Sequence, residues 1–274
     1  MTMKTVGIDE LLSWAFVHEL PKGGGVDGLD NANSAWRMIF ASSWGKVSRF
    51  AELMTMVDTG SRGEGMWIEQ GEPHEDAVAV GEAVAALADC DIVLPEGWNP
   101  LADWGEVADG ALAKSAVAAA IARFNARTPS RRAAHLVSLV IGTAVLGREP
   151  AWDAEQPKVR MVMREGRPAW FRIIQVRDDL GQMHPREVDG YNPRGGRPHR
   201  GAYRKFEFAD DPVGDILARL DRQLWAAALA RLDRQLRPKL AAHRLRACGI
   251  EASPWPGGHD HPPVGLVKAR RMAA

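Results

Sequence analysis

The apolar positions of the chain fall into two textures. Leu11, Leu12, Ala15, Phe16 and Leu20 recur at three- and four-residue spacing and predict a helix over Ile8–Leu20. Pro21, followed by Lys22 and three glycines, ends it. Beyond a loop holding Asp27, Gly28 and Asp30, Asn33 or Ser34 is placed to cap a helix from Ala35 that carries Trp36, Ile39, Phe40, Trp44, Val47 and Phe50. Alanine-rich helices are predicted over Glu75–Leu87 and Val107–Arg127, separated by the turn-rich connector EGWNPLADW, Glu96–Trp104. Ser130–Leu146 reads as helix or buried strand, and its length selects helix.

Near Gln156 the period changes. VRMVM (Val159–Met163) and AWFRIIQV (Ala169–Val176) alternate and are rich in strand formers. With Glu165 and Gly166 as a two-residue turn they predict an antiparallel hairpin. Glu187–Tyr191 and Ala202–Phe208 add two strands. On the second, Arg204, Phe206 and Phe208 share one face, and Tyr203 and Lys205 the other. Helical spacing returns from Pro212 to Arg237, with Asp210 or Asp211 as cap and Pro238 as terminator. A shorter helix is expected up to Cys248. The heptapeptide ARLDRQL occurs at Ala218–Leu224 and again at Ala230–Leu236. An offset of twelve residues turns a helix by about 1200°, a net rotation of roughly 120°, so the two copies share no seam and make no coiled coil.

The expected fold class is therefore α+β: a mainly helical N-terminal part, a small antiparallel β-sheet and a long C-terminal helix. Residues 1–155 form the helical region, 156–210 the β region with a basic loop, 211–250 the C-terminal helical region. Residues 251–274, with six prolines and glycines between Pro254 and Pro263, are expected to be a flexible tail.

Composition adds exclusions. The chain of 274 residues is 46% hydrophobic and 26% charged, the profile of a globular protein and not of a disordered or collagen-like one. Cys90 and Cys248 stand alone, so no zinc ribbon or CxxC redox pair is encoded. Asp9 and Glu10 interrupt the region where an export signal needs an apolar run, and the longest uncharged stretch, Ala133–Gly147, is shorter than a bilayer span. A cytoplasmic protein without membrane contact is expected.

A net charge of zero conceals strong segregation. Residues 51–110 hold 14 acidic residues against one basic, a balance of −13; residues 158–205 hold 12 basic against five acidic, +7; residues 214–274 hold 11 against five, +6. Either the basic part meets a polyanion and the acidic region 51–110 a protein partner, or the two face each other.

No linear motif names a reaction. The loop Lys22–Asn33 has no GxxxxGK[ST] or GxGxxG, and its aspartates repel phosphate. In the HDH cluster His259-Asp260-His261 the two histidines have no firm third metal ligand nearby, and the group Glu69, Glu72, His74, Glu75 and Asp76 suits the entry of a helix. There is no GxSxG elbow, and Glu155 and Lys158, separated by two residues including Pro157, do not share a strand face. No cofactor is expected. The strongest constellation is GYNPRGGRPHRGAYRKF, with Arg194, Arg197, Arg200, Tyr203, Arg204 and Lys205, joined by Arg160 and Arg172 from the preceding hairpin. Arginines on a glycine-rich backbone follow phosphates and tyrosines stack on bases, so these eight residues are the candidate nucleic-acid-binding set, for DNA or RNA.

Five segments, VHELPKGGGVDG (Val17–Gly28), EGWNPLADW, VSLVIGTAVLGREPAW (Val137–Trp152), GAYRKFEF (Gly201–Phe208) and DPVGDILARLDRQLWAAAL (Asp211–Leu229), resemble an uncharacterised protein family of alphaproteobacterial genomes, often prophage-associated. The likeness runs from Ile8 to about Ala247. That family brings no established activity and no catalytic residue to carry over. The resemblance implies a bacterial or phage cytoplasmic setting and a regulatory or DNA-linked role. The expectation is a non-enzymatic accessory or regulatory protein of a mobile element. A structural subunit that touches no nucleic acid, and an enzyme whose site is assembled only on folding, are the alternatives.

Overall fold

The computed structural model describes residues 3–23, 72–107, 110–153, 155–260 and 262–268. The expected helix from Ala35 and the loops on either side of it lie outside these residues.

In chain order the elements are strand β1 (Lys4–Val6), helix α1 (Ile8–Trp14), helix α2 (Glu75–Ala85), strand β2 (Cys90–Val93), helix α3 (Ala111–Asn125) and helix α4 (Pro129–Leu146). There follow β3 (Val159–Met161), β4 (Met163–Arg164), β5 (Arg167–Pro168), β6 (Phe171–Arg177), β7 (Met183–Asp189), β8 (Tyr191–Asn192), β9 (Arg197–Pro198) and β10 (Phe206–Phe208). Helix α5 (Val213–Leu236) and strands β11 (His243–Leu245) and β12 (Gly265–Lys268) complete the chain. The architecture is α+β as expected, with small two-stranded sheets in place of one sheet and a 24-residue C-terminal helix.

Helix α5, about 36 Å long, is the axis of the molecule. Ile216, Leu220, Leu224, Ala228, Leu232 and Leu236 recur every four residues and are all buried. Helices α1, α2, α3 and α4 pack on it. Thr128 caps α4, with Pro129 in the first turn and Gly147 closing the end at φ 62°. That left-handed geometry is one glycine adopts without steric cost.

Two buried clamps join distant parts of the chain. The Asp76 carboxylate, at the start of α2, accepts from the backbone N–H groups of Ala241 (2.7 Å), Ala242 and His243 (3.0 Å each) and lies 2.7 Å from His243 Nδ1. This turn replaces the expected helix up to Cys248. The chain enters β11 and pairs in parallel with β1. The second clamp is built on α5. Arg219, 1% exposed, holds Asp103 through both terminal nitrogens (2.5 and 2.7 Å) and donates to the carbonyls of Pro100 and Trp152. Arg222 grips Glu149 and the carbonyl of Glu251, while Gln223 accepts from Trp98 and donates to Ser253, each at 2.7 Å.

The tail expectation is corrected for the described part of 251–274. Trp255 is 1% exposed beneath the Arg219 guanidinium, 5.0 Å from its ring centre, and Val264 is buried. Residues 265–268 pair with β2. Proline and glycine shape this segment without freeing it.

The β region also departs from its expected pairing. Glu165 and Gly166 do turn the chain, with φ of 51° and 76°, but the hairpin they close is only β4 with β5. Val159–Met161 pairs instead with β10, and β6 pairs with β7 over seven residues. A bridge between Phe171 and Tyr203 ties the base together. Three hairpins, β4–β5, β6–β7 and β8–β9, thus leave a common base.

Candidate nucleic-acid interface

The strand β10 and the residues leading into it organise the basic region by its two faces. On one side, Lys205 Nζ lies 2.5 Å from Glu187, whose other oxygen accepts from the Tyr203 hydroxyl. Across the β3–β10 pair, Arg160 Nε donates to Glu207 at 2.9 Å. The Glu187 carboxyl is held below its ordinary range, first by Lys205 and then by Tyr203, and the Tyr203 phenol is pushed up by Glu187. This face is internally neutralised. Arg160, Tyr203 and Lys205, three of the eight expected contacts, are therefore already engaged.

On the opposite side, Arg204 lies over the Trp170 ring, its guanidinium 4.3 Å from the ring centre, and reaches the Met161 sulfur at 3.5 Å. Met161 pairs with Phe206 across the strands. Trp170, Arg204, Met161 and Phe206 are thus contiguous, and Phe206 stays 51% exposed. At the inner end of this face Phe208 meets the core at Trp104, ring centres 6.0 Å apart.

Arg194, Arg197 and Arg200 lie on or just beyond the β8–β9 hairpin. All three are exposed, and among the described residues none makes an ion pair. The hairpin is a local device: Asn192 Oδ1 accepts from the N–H of Arg194 and Gly195, and Gly196 takes a φ of 62°. Its base is fixed by Gly190, whose N–H donates to Trp170 (2.8 Å) and whose carbonyl accepts from His199. A side chain at Gly190 would meet the Phe171 backbone at 2.8 Å, so this crossing requires glycine.

Arg172 stands apart from the set. It is half-buried on the other face of β6, opposite Val188, with its Nε sealed and unpartnered. Sequence reasoning missed Arg167 and Arg186, both exposed and without an ion pair among the described residues. Arg186 escaped because its strand begins at Met183, four residues before the expected one.

Among the described residues the acidic region meets the second basic segment, residues 214–274, and not the basic β region. Asp103 and Asp76, from the acidic region, pair with Arg219 and His243 of the C-terminal segment. Glu207, Asp189 and Glu187 pair with Arg160, Arg164 and Lys205 of their own β region. His74 caps α2 through Nδ1, and His259 pairs with Glu251. Among the described residues no three His, Cys, Asp or Glu side chains converge as metal ligands. No described helix is long and apolar enough to cross a membrane.

Compared with known proteins, the chain matches no family model, no curated protein and no solved structure.

Proposed function

We propose that this is a cytoplasmic, non-enzymatic nucleic-acid-binding protein, an accessory or regulatory factor of a bacterial mobile element, acting through its β region. The observation that carries the reading is the state of Arg194, Arg197 and Arg200: three exposed guanidinium groups on or just beyond a short, braced hairpin, in a region where Glu187, Asp189 and Glu207 are paired with other cations. Fixed cations without protein partners suit phosphate, and phosphate contacts position a protein without reading sequence.

Binding of labelled DNA and RNA at several salt concentrations tests this. Each phosphate contact contributes about 0.7 to 0.9 to the slope of log affinity against log salt. Changing Arg194, Arg197 and Arg200 together to alanine is expected to weaken binding and flatten the slope by about two to three units. No binding by the unaltered protein at low salt removes the proposal.

A protein-docking role is favoured by one feature, the β6–β7 ribbon. Leu180 at its tip is 86% exposed, and Ile173 and Met183 are also exposed on one face. Exposed apolar residues grouped in this way mark interaction surfaces.

A further inference from the structure

The nucleic-acid reading leaves open whether the ligand is a duplex or a single strand, and the two faces of the β region distinguish them. A duplex buries the flat faces of its bases and offers phosphates and groove edges. A protein reads its grooves by inserting a helix or a two-stranded ribbon. Of the three hairpins only β6–β7, with seven residues on each strand against two in the others, is long enough to act as such a ribbon, and it is not cationic. Between Phe171 and Asp189 it has Arg172, Arg177 and Arg186 against Asp178, Asp179, Glu187 and Asp189, three positive against four negative, or −1. Asp178 and Asp179 stand at its turn, where an inserted ribbon would go deepest. A groove lined by phosphates repels such a tip.

The apolar face suits the other ligand. Phe206 is half exposed beside Met161, and the Arg204 guanidinium lies over the Trp170 ring, 4.3 Å from its centre. Such aromatic and guanidinium planes gain from an unstacked base and little from a closed duplex. Tyr191, 39% exposed, opens the hairpin that carries Arg194 and Arg197 and follows directly on Gly190, which is bonded to Trp170. The hairpin that carries the unpaired cations is therefore anchored, through the Gly190 N–H, to the backbone of Trp170, whose ring belongs to the stacking face.

We infer that the β region binds single-stranded nucleic acid, with bases stacked on Phe206 and the Arg204–Trp170 pair and the sugar-phosphate chain on Arg194, Arg197 and Arg200. The inference rests on the nucleic-acid reading and adds the strandedness of the ligand and the residues that select it. Stacking is tolerant of sequence, because every base has a π-face.

The test uses the full chain and three probes of one mixed sequence, about 16 nucleotides long, the upper end of single-strand site sizes: DNA single strand, RNA single strand, and the DNA duplex. The unaltered protein is expected to prefer a single strand over the duplex, and the ratio of the DNA and RNA affinities identifies the preferred sugar. Phe206→Ala is expected to lower single-strand affinity roughly 5- to 150-fold, the range for one lost base stack. The salt slope stays unchanged, because no phosphate contact is removed, and Phe206→Tyr restores binding. Phe206 is half exposed, so circular dichroism should show a retained fold. Equal or tighter binding of the duplex overturns the inference, as does full single-strand affinity in Phe206→Ala; in both cases loss of binding on changing the three arginines leaves the nucleic-acid reading standing. A Phe206→Ala protein that binds all probes normally but changes its oligomeric state assigns the face to a protein contact instead. Binding of none of the probes removes both proposals.

Discussion

Arginine is the residue that distinguishes the two halves of this molecule. In the helical core Arg219 and Arg222 lie inside, with their donors directed at carbonyls and carboxylates from three loops. In the β region Arg194, Arg197 and Arg200 lie outside, without an ion pair among the described residues. A buried guanidinium is tolerable only if its charge and hydrogen bonds are met, and removing one partner leaves the other stranded. An exposed one costs the fold nothing and remains available to a ligand. The side chain is the same, and its surroundings decide whether it holds structure or waits for a partner.

The largest expected effect is on the segment that the core arginines clamp. Truncation before Ser253 removes Trp255, Val264 and the strand that pairs with β2. Loss of a buried tryptophan alone costs about 3 to 5 kcal/mol. The truncated chain is expected to melt many degrees lower, or to lose cooperative unfolding, in a thermal scan. An unchanged melting temperature would mean that the buried Trp255 contributes nothing, and the comparison would fail at its core end.

Arg219→Ala comes next. It strands Asp103 and frees the carbonyls of Pro100 and Trp152, and a broken buried pair costs about 3 to 5 kcal/mol. Asp103 keeps some contact with solvent, so the lower end is expected. Urea denaturation measures it. Arg231→Ala, in the second copy of the repeat, removes one long bond to the Leu266 carbonyl and should cost far less.

What the sequence made legible follows from where each signal resides. Helices α1, α2, α3, α4 and α5 were readable because their apolar spacing is local. The turn at Glu165 and Gly166 was readable for the same reason. Its partner strands were not: Val159–Met161 pairs with residues 206–208, a choice made by the tertiary fold. Strands β1, β2, β11 and β12 have three or four residues each, too few to show a period. The buried clamp was invisible because Arg219, Arg222 and Gln223 read as surface residues on any hydropathy pattern. In the candidate site, the exposure of Arg194, Arg197 and Arg200 was foreseeable from their glycine-rich setting. The engagement of Arg160, Tyr203 and Lys205 by Glu207 and Glu187 was not, since it depends on which strands become neighbours.

A third prediction concerns acid. Burial alone would raise the Asp76 carboxyl, but the N–H of Ala241, the His243 side chain and the N–H groups of Ala242 and His243 outweigh it, and the pKa is lowered from 3.8. A lowered folded value means that Asp76 contributes its full stability above the unfolded pKa. That contribution is lost as pH falls through the lowered folded value. Urea midpoints of the unaltered protein should therefore drop below about pH 4. Asp76→Asn, which cannot ionise, is expected to be less stable at neutral pH and to show a smaller drop. Equal acid sensitivity in the two proteins would assign the effect to other carboxylates.

The smallest expected effect completes the contrast. Changing Arg194, Arg197 and Arg200 together to alanine removes three charges and no ion pair, and the hairpin's own bonds come from Asn192 and Gly190. Exposed substitutions away from caps, strained backbone and buried networks stay within about 0.5 kcal/mol each. Each change also lowers the positive charge of a region that carries 12 basic residues against five acidic ones. Relief of that repulsion is greatest at low ionic strength, because salt screens exposed charges. The triple variant should therefore unfold in urea at a midpoint close to the parent's in high salt, and at the same or a slightly higher midpoint in low salt. A clear loss of stability would mean that these arginines are structural after all. They would then belong with Arg219, and the division between clamping and ligand-facing arginines would not hold.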